Sequence, residues 1–420
     1  MAGITLWGVT TTTAHDSYAA LRVRNFRQLI YSVLGETLGT QIQTVVVGWQ
    51  VYAFTRDPLS LGLIGLAEAL PFISCALLAG HVADVADRRR VVTGALTVLT
   101  CCSVSLLLLT NTGAVGPGRV WPFYVVIFVS GIARSFLMTS RTALFSEIVP
   151  RELYANAIPW RSSTWQFAAV AGPAAGGLIY GFAGPRAAYG TAIVLIGLAS
   201  LAIMMVRNEP RTIPARTETL SESLFAGVRF VRHQPLLLGA ITLDLFAVLF
   251  GGAEALAPVF AAEILHVGPQ GLGLIRAAPA AGAVLMAVYL SHRRPIERSG
   301  RALLTAVAVF GCCMLGFALS TNFLLSLALL AMSGMADNVS VVLRSTLLQT
   351  LPPREMLGRV AAVNSIFIGS SNEIGAFESG LAAKLLGTVP SVLFGGCMTL
   401  LVVAIAAWRL PQLRKLGRLA

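Results

Sequence analysis

The stretch Gly80-His81-Val82-Ala83-Asp84-Val85-Ala86-Asp87-Arg88-Arg89-Arg90 decides how this chain is read. Before it, Leu59 to Ala79 is apolar apart from Glu68, and after it Val91 to Thr110 carries no charge. Each flank is about 20 residues, the length an α-helix needs to cross the ~30 Å hydrocarbon core of a bilayer. The stretch is therefore expected to be a tight hairpin between two membrane helices. Arginines beside a span hold that end on the cytoplasmic side. They do not account for a glycine and two aspartates at fixed spacing, because acidic residues contribute little to orientation.

Composition agrees. Of 420 residues, 56% are hydrophobic and 12% charged, and the mean hydropathy is +0.76, values of a polytopic membrane protein. A net charge of +12 on a soluble chain would suggest nucleic acid, but here its distribution excludes that partner. Of 31 basic residues 29 are Arg; only Arg56, Arg119, Arg186 and Lys384 fall in segments assigned outside, and Arg134 and Arg276 within spans. The rest lie in the N-terminal arm, alternate loops and the C-terminal tail. This positive-inside asymmetry places both termini in the cytoplasm. Cys75, Cys101, Cys102, Cys312, Cys313 and Cys397 all sit in apolar runs and read as packing residues, with no disulfide framework or metal site. Met1 to Tyr18 lacks the basic-then-apolar order of a cleaved signal.

Twelve spans are expected, near residues 28–54, 59–79, 91–110, 121–139, 159–182, 187–206, 236–262, 270–291, 302–320, 323–342, 359–384 and 391–408. Residues 207–235 are polar, and Leu220, Leu224, Val228 and Val231 recur at helical spacing there, which predicts an amphipathic surface helix between two halves, 1–206 and 236–420. The halves share an internal repeat. Arg141 to Leu153 aligns with Arg344 to Met356 at an offset of 203, matching Arg141 with Arg344, Pro150 with Pro353, Arg151 with Arg354 and Glu152 with Glu355. Both copies follow the fourth span of their half and read as inside loops. The same offset sets Arg134 opposite Asp337, the charges deep in spans 4 and 10. Parallel six-helix repeats of this kind are a transporter architecture.

The pattern G-x-x-x-D-x-x-D-R-R-R, carried here by Gly80, Asp84, Asp87 and Arg88 to Arg90, resembles the loop between helices 2 and 3 of the major facilitator superfamily. The resemblance implies an all-α, twelve-helix fold. It also implies a cytoplasmic latch in which Asp84 meets the start of helix 11 and a helix-4 arginine, Arg134 or Arg141. In span 5, Gly172-Pro173-Ala174-Ala175-Gly176-Gly177 is similar to the core of a motif shared by proton-coupled exporters of that superfamily, although its upstream glycines are missing. Small-residue packing between helices would use Gly176 and Gly177 in any case. Further segments, among them Gly48 to Tyr52, Leu243 to Gly252, Gly273 to Pro279 and Ser371 to Gly375, resemble the branch related to siderophore and macrolide exporters.

Intramembrane carboxylates are costly and mark function. The candidates are Glu36, Glu68, Asp244, Glu254, Asp337, Glu373 and Glu378. Glu36 and Asp244 stand at matching depth on the first helix of each half, where the resemblance implies a central cavity. Desolvation would favour the neutral form of such a group and let it carry a proton; the plainer alternative is an acid that faces a wet cavity because it cannot face lipid. Asp244, in a solidly apolar run, is the preferred carrier, with Glu373 and Glu254 behind it. Arg134 and Arg276 need partners: Asp84 or Asp337 for the first, and Glu254, Glu373 or an anionic substrate for the second. The two lysines, Lys384 and Lys415, are each followed by Leu, so no phosphate-binding G-x-x-x-x-G-K-[ST] loop exists. The expected protein is a monomeric multi-pass transporter of the inner membrane, without cofactor or enzymatic activity. It is expected to export an amphiphilic, siderophore-like small molecule by proton antiport. A polyspecific drug or macrolide pump, and a non-transporting sensor or assembly factor of the same fold, are the alternatives.

Overall fold

The structure is a computed structural model that describes residues 16, 18–207, 220–251, 253–293, 296–353, 356–414 and 416–417. The long helices are α1 (Arg24–Thr55), α2 (Pro58–Val85), α3 (Arg88–Asn111), α4 (Trp121–Ile148), α5 (Tyr154–Met204), α6 (Leu220–His233) and α7 (Pro235–Phe250). They continue with α8 (Gly268–Ser291), α9 (Ser299–Leu319), α10 (Phe323–Thr350), α11 (Leu357–Leu386) and α12 (Thr388–Arg409). No strand occurs among the described residues.

Local chemistry sets the ends. Asp57 caps α2 by accepting from the Leu59 amide at 3.2 Å, and Pro58 fills the first helical position, where no amide partner is needed. Asp87 does the same for α3, accepting from the Arg90 amide at 3.2 Å. One of the hairpin's two aspartates thus has a structural use. Asn322 caps α10 through the Leu325 amide at 3.1 Å.

Among the described residues, eight helices are long and apolar enough to cross a membrane. One of them contains α5, whose 51 residues would reach ~75 Å at 1.5 Å per residue, far more than a bilayer needs. It is broken at Gly184, where φ is 78° and ψ 177°, a conformation open to glycine because it has no Cβ. The turn expected at Gly184-Pro185-Arg186 is that break. With α5 counted as two arms and α1, α7 and α11 added, the helices are consistent with twelve crossings. Their outward faces carry Leu77, Leu78, Phe182, Leu285, Leu324, Leu385 and Trp408, all exposed, as a lipid-facing surface requires and water would penalise.

Two expected boundaries shift. The segments after spans 4 and 10 were expected to be loops from Arg141 and Arg344 onward; instead α4 runs on to Ile148 and α10 to Thr350. Both arginines therefore lie on helix faces inside the bundle. Span 7 is interrupted: α7 stops at Phe250, and Ala257–Val259 and Phe260–Ile264 resume it as a short helix and a π turn.

Helices α1 to α5 pack chiefly on one another, with α1 along α5 and α2 along α4; α7 to α12 form a second group, with α8 and α9 against α10. The groups meet along α5 with α8 and α2 with α11. Helix α6 packs on α11, α7 and α2, with Val231 buried and Arg229 and Arg232 exposed.

Candidate functional site

At the end of the bundle away from the Asp84–Arg90 hairpin, the two groups are tightly closed. A Cβ on Gly177 of α5 would stand 2.7 Å from the Cα of Gly273 on α8, and one on Gly380 of α11 would stand 2.8 Å from the Cα of Gly62 on α2. Only residues without a Cβ permit such crossings. Ion pairs span the same end: Asp57 to Lys384 at 2.9 Å, and Arg56 to Glu263 at 3.8 Å. Tyr52 of α1 is buried in the second group's apolar cluster with Leu256, Phe260, Leu272 and Phe317. The span-5 motif belongs to this seam. Gly172 and Gly176 face Gln41 and Ile42 of α1, while Gly177 and the Pro173 carbonyl meet Gly273.

At the hairpin end, Asp84 lies half-buried in the last turn of α2, and Gly80 is one turn before it. Arg88 turns back onto the Ala83 carbonyl at 2.9 Å and pairs with Glu147 of α4 at 2.5 Å. Arg89 donates to the Met204 carbonyl. These contacts tie the hairpin to α4 and α5.

Between the two ends lie the charges. Glu36 of α1 accepts from Arg141 of α4 at 2.7 Å, with the Thr37 and Thr40 hydroxyls at 3.3 and 3.5 Å. Asp244 of α7 pairs with Arg344 of α10, both nearly inaccessible. Glu68 of α2 pairs with Arg134 of α4. The partners expected for Arg134 were Asp84 or Asp337; the structure gives it Glu68 instead, because α2 and α4 pack side by side and the pair closes within one group of helices. Arg141 likewise serves Glu36, not Asp84. Glu68 is one of the candidate intramembrane acids of the sequence, where nothing assigns it a partner.

Two cavities adjoin these charges. The first is lined by Thr40, Gln43, Thr44, Glu68, Ser130 and Arg134 together with aliphatic side chains such as Ile64, Leu99 and Ile127. The second is lined by Asp244, Asp337 and Ser340 with Val307 and Phe310. Glu254 is exposed in the break after α7, and Arg276 is half-buried on α8. The Glu373 side chain lies outside the described residues. Among the described residues, no group of His, Cys, Asp or Glu could hold a metal ion.

Residues 15–418 match the family described as transmembrane secretion effector. The chain belongs to that family. It is a branch of the major facilitator superfamily, and its members are membrane transporters, not enzymes. Similar proteins include the enterobactin exporter EntS of Citrobacter koseri, 26% identical over 408 residues covering 96% of this chain and 93% of that protein. The multidrug efflux pump Tap of Mycolicibacterium fortuitum is equally similar, 26% over 404 residues, covering 92% and 96%. In fold, the chain resembles a bacterial homologue of the human lysosomal transporter Spinster, solved in an inward-facing and occupied conformation. The TM-score is 0.71 at 14% identity, over 96% of this chain and 99% of that one. The chain is thus an exporter of small molecules built on the major facilitator fold.

Proposed function

We propose that this exporter moves an amphiphilic, siderophore-like molecule out across the inner membrane by proton antiport, with both termini and the Asp84–Arg90 hairpin in the cytoplasm. The observation that carries the reading is the pairing of a sealed end with polar cavities beyond it. The Gly62/Gly380 and Gly177/Gly273 crossings close one side. Cavities holding Glu68, Arg134, Asp244 and Asp337 lie within the two groups of helices. The groups, residues 1–206 and 236–420 joined by the linker 207–235, act as two halves that rock about the seams α5/α8 and α2/α11. With arginine-rich loops inside, the sealed end faces outward.

The first cavity suits an amphiphile: its lining combines hydroxyl, amide, carboxylate and guanidinium groups with aliphatic walls. A mixed lining of this kind fixes orientation with few polar groups and gains affinity from apolar area. The likeness to a multidrug pump, equal in identity to that with the enterobactin exporter, supports a polyspecific drug exporter as the second reading. Energy would come from an ion gradient, since the sequence has no phosphate-binding loop.

The test uses inverted membrane vesicles with an imposed pH gradient and two probes, enterobactin and ethidium. Uptake of enterobactin that collapses with the gradient supports the reading. Gradient-driven uptake of ethidium alone favours the drug pump, and uptake indifferent to the gradient removes proton antiport.

A further inference from the structure

The sequence offers several intramembrane acids as proton carriers, and the geometry sorts them by partner. Glu36 is held by Arg141, Glu68 by Arg134 and Asp244 by Arg344. A carboxylate with a guanidinium against it is stabilised in the charged form, so binding a proton there means breaking the pair and leaving a cation alone in a low-dielectric site. Asp337 differs. Among the described residues, no cation stands within ion-pair distance of it and no hydrogen bond is donated to it.

Its surroundings reinforce the difference. Asp337 lines the second cavity, whose other walls are Ala247, Val248, Val307, Phe310 and Ala336, with the Ser340 hydroxyl and Asp244 as the polar members. Asp244, from α7, brings a negative charge already committed to Arg344. Glu254, exposed in the break after α7, is a further acid in that group of helices. Helix α9 contributes Val307 and Phe310 at the cavity. Among the other helices packed on α10, α8 carries Arg276, and α11 carries Glu373, Glu378 and the terminal charges Arg359 and Lys384.

We infer that Asp337 is the carboxylate that carries the coupling proton, and that Asp244 is its fixed, Arg344-bound neighbour. This assignment rests on the proton-antiport reading. When the cavity is dry, an unpaired carboxylate between apolar walls and other acids holds a proton, because the charged form has neither water nor cation to stabilise it. When the cavity opens to water, the carboxyl ionises and returns the proton to that side. One proton is bound and one released per cycle, and nothing else changes hands at Asp337. The Arg344–Asp244 pair stays intact throughout.

Infrared titration of the purified protein in lipid nanodiscs tests this without any substrate, by following the C=O stretch of protonated carboxyl groups. The wild type should show a protonated-carboxyl band that outlasts the titration of ordinary carboxyl groups and disappears as the pH is raised further. Asp337→Asn should lose it, and Asp337→Glu should keep it at a shifted frequency. A wild type with no such band, or a band untouched by Asp337→Asn in folded protein, overturns the assignment. Because the readout is substrate-free, it is separable from the vesicle assay, whose failure in the wild type would instead remove the antiport reading.

Discussion

Arg344 on α10 and Asp244 on α7 form an ion pair with almost no access to solvent, 4% for the arginine and 7% for the aspartate. Its counterpart in the first group is Arg141 on α4 with Glu36 on α1. Arg141 and Arg344 are the residues that the internal repeat aligns at an offset of 203. Two similar pairs at equivalent places indicate that each group needs its first helix pinned to its fourth. A buried pair contributes little net energy as a pair, but breaking it strands a charge.

That asymmetry gives the first prediction. Arg344→Gln alone should destabilise the fold by about 3–5 kcal/mol, the range for an uncompensated buried charge. Adding Asp244→Asn should recover most of that loss. Arg141→Gln should cost less, since the Arg141 side chain keeps 21% of its accessible surface and water can reach Glu36 through it. Thermal unfolding in detergent, followed by fluorescence, measures all of these.

The second prediction concerns the sealed end. The pairs Asp57–Lys384 and Arg56–Glu263 cross between the groups but are partly exposed, so each contributes at most about 1 kcal/mol. Asp57→Lys also removes the α2 cap, worth about 1 kcal/mol, but should leave the fold in place and shift the conformational balance only several-fold toward opening at that end. The swap Asp57→Lys with Lys384→Asp should restore it. Spin labels on the outer ends of α2 and α11 would read the distance distribution; an unchanged distribution in Asp57→Lys would remove the gating role.

A third prediction tests the glycine seam. Gly273→Val puts side-chain atoms where the Pro173 carbonyl and Gly177 backbone already stand, with the carbonyl oxygen 2.5 Å from the new Cβ. Overpacking of this sort costs typically ~1–3 kcal/mol. Here the cost falls on the closed arrangement of α5 against α8 alone, so the variant should favour an opened end and lose export while still inserting in the membrane. Normal gradient-driven uptake by Gly273→Val would show that this crossing is not formed during transport.

The hairpin, the apolar runs and the arginine bias were legible because they depend on chain-local properties: length in hydrocarbon, and charge beside a span. So was the break at Gly184. Helix α6 forms where the helical spacing lies. Val228 of its expected apolar face is exposed while Val231 is buried, and the Leu220 and Leu224 side chains lie outside the described residues. The partners of the charges were not legible. Arg141 and Arg344 read as loop residues because the apolar run stops before them, yet their helices continue past it with a polar face turned inward. Glu68 stands out in span 2 as a candidate acid, but its partner does not: that is Arg134, 66 positions later on a neighbouring helix. The repeat pointed Arg134 at Asp337, but symmetry relates positions, and it does not bring them into contact.

The last prediction separates those two pairings by a double-mutant cycle. If Glu68 is the partner of Arg134, as the structure has it, then Arg134→Gln and Glu68→Gln should each impair stability and export, because either strands one charge beside the first cavity. The double variant should then be less impaired than the worse single, with a coupling energy of about 1–3 kcal/mol. Arg134→Gln combined with Asp337→Asn should instead show additive losses, since those residues line different cavities in different groups of helices. Independent sites add to within about 0.5 kcal/mol. The reverse result, rescue with Asp337 and additivity with Glu68, would mean that Arg134 leaves Glu68 during the cycle and crosses to α10 in the state that dominates in the membrane.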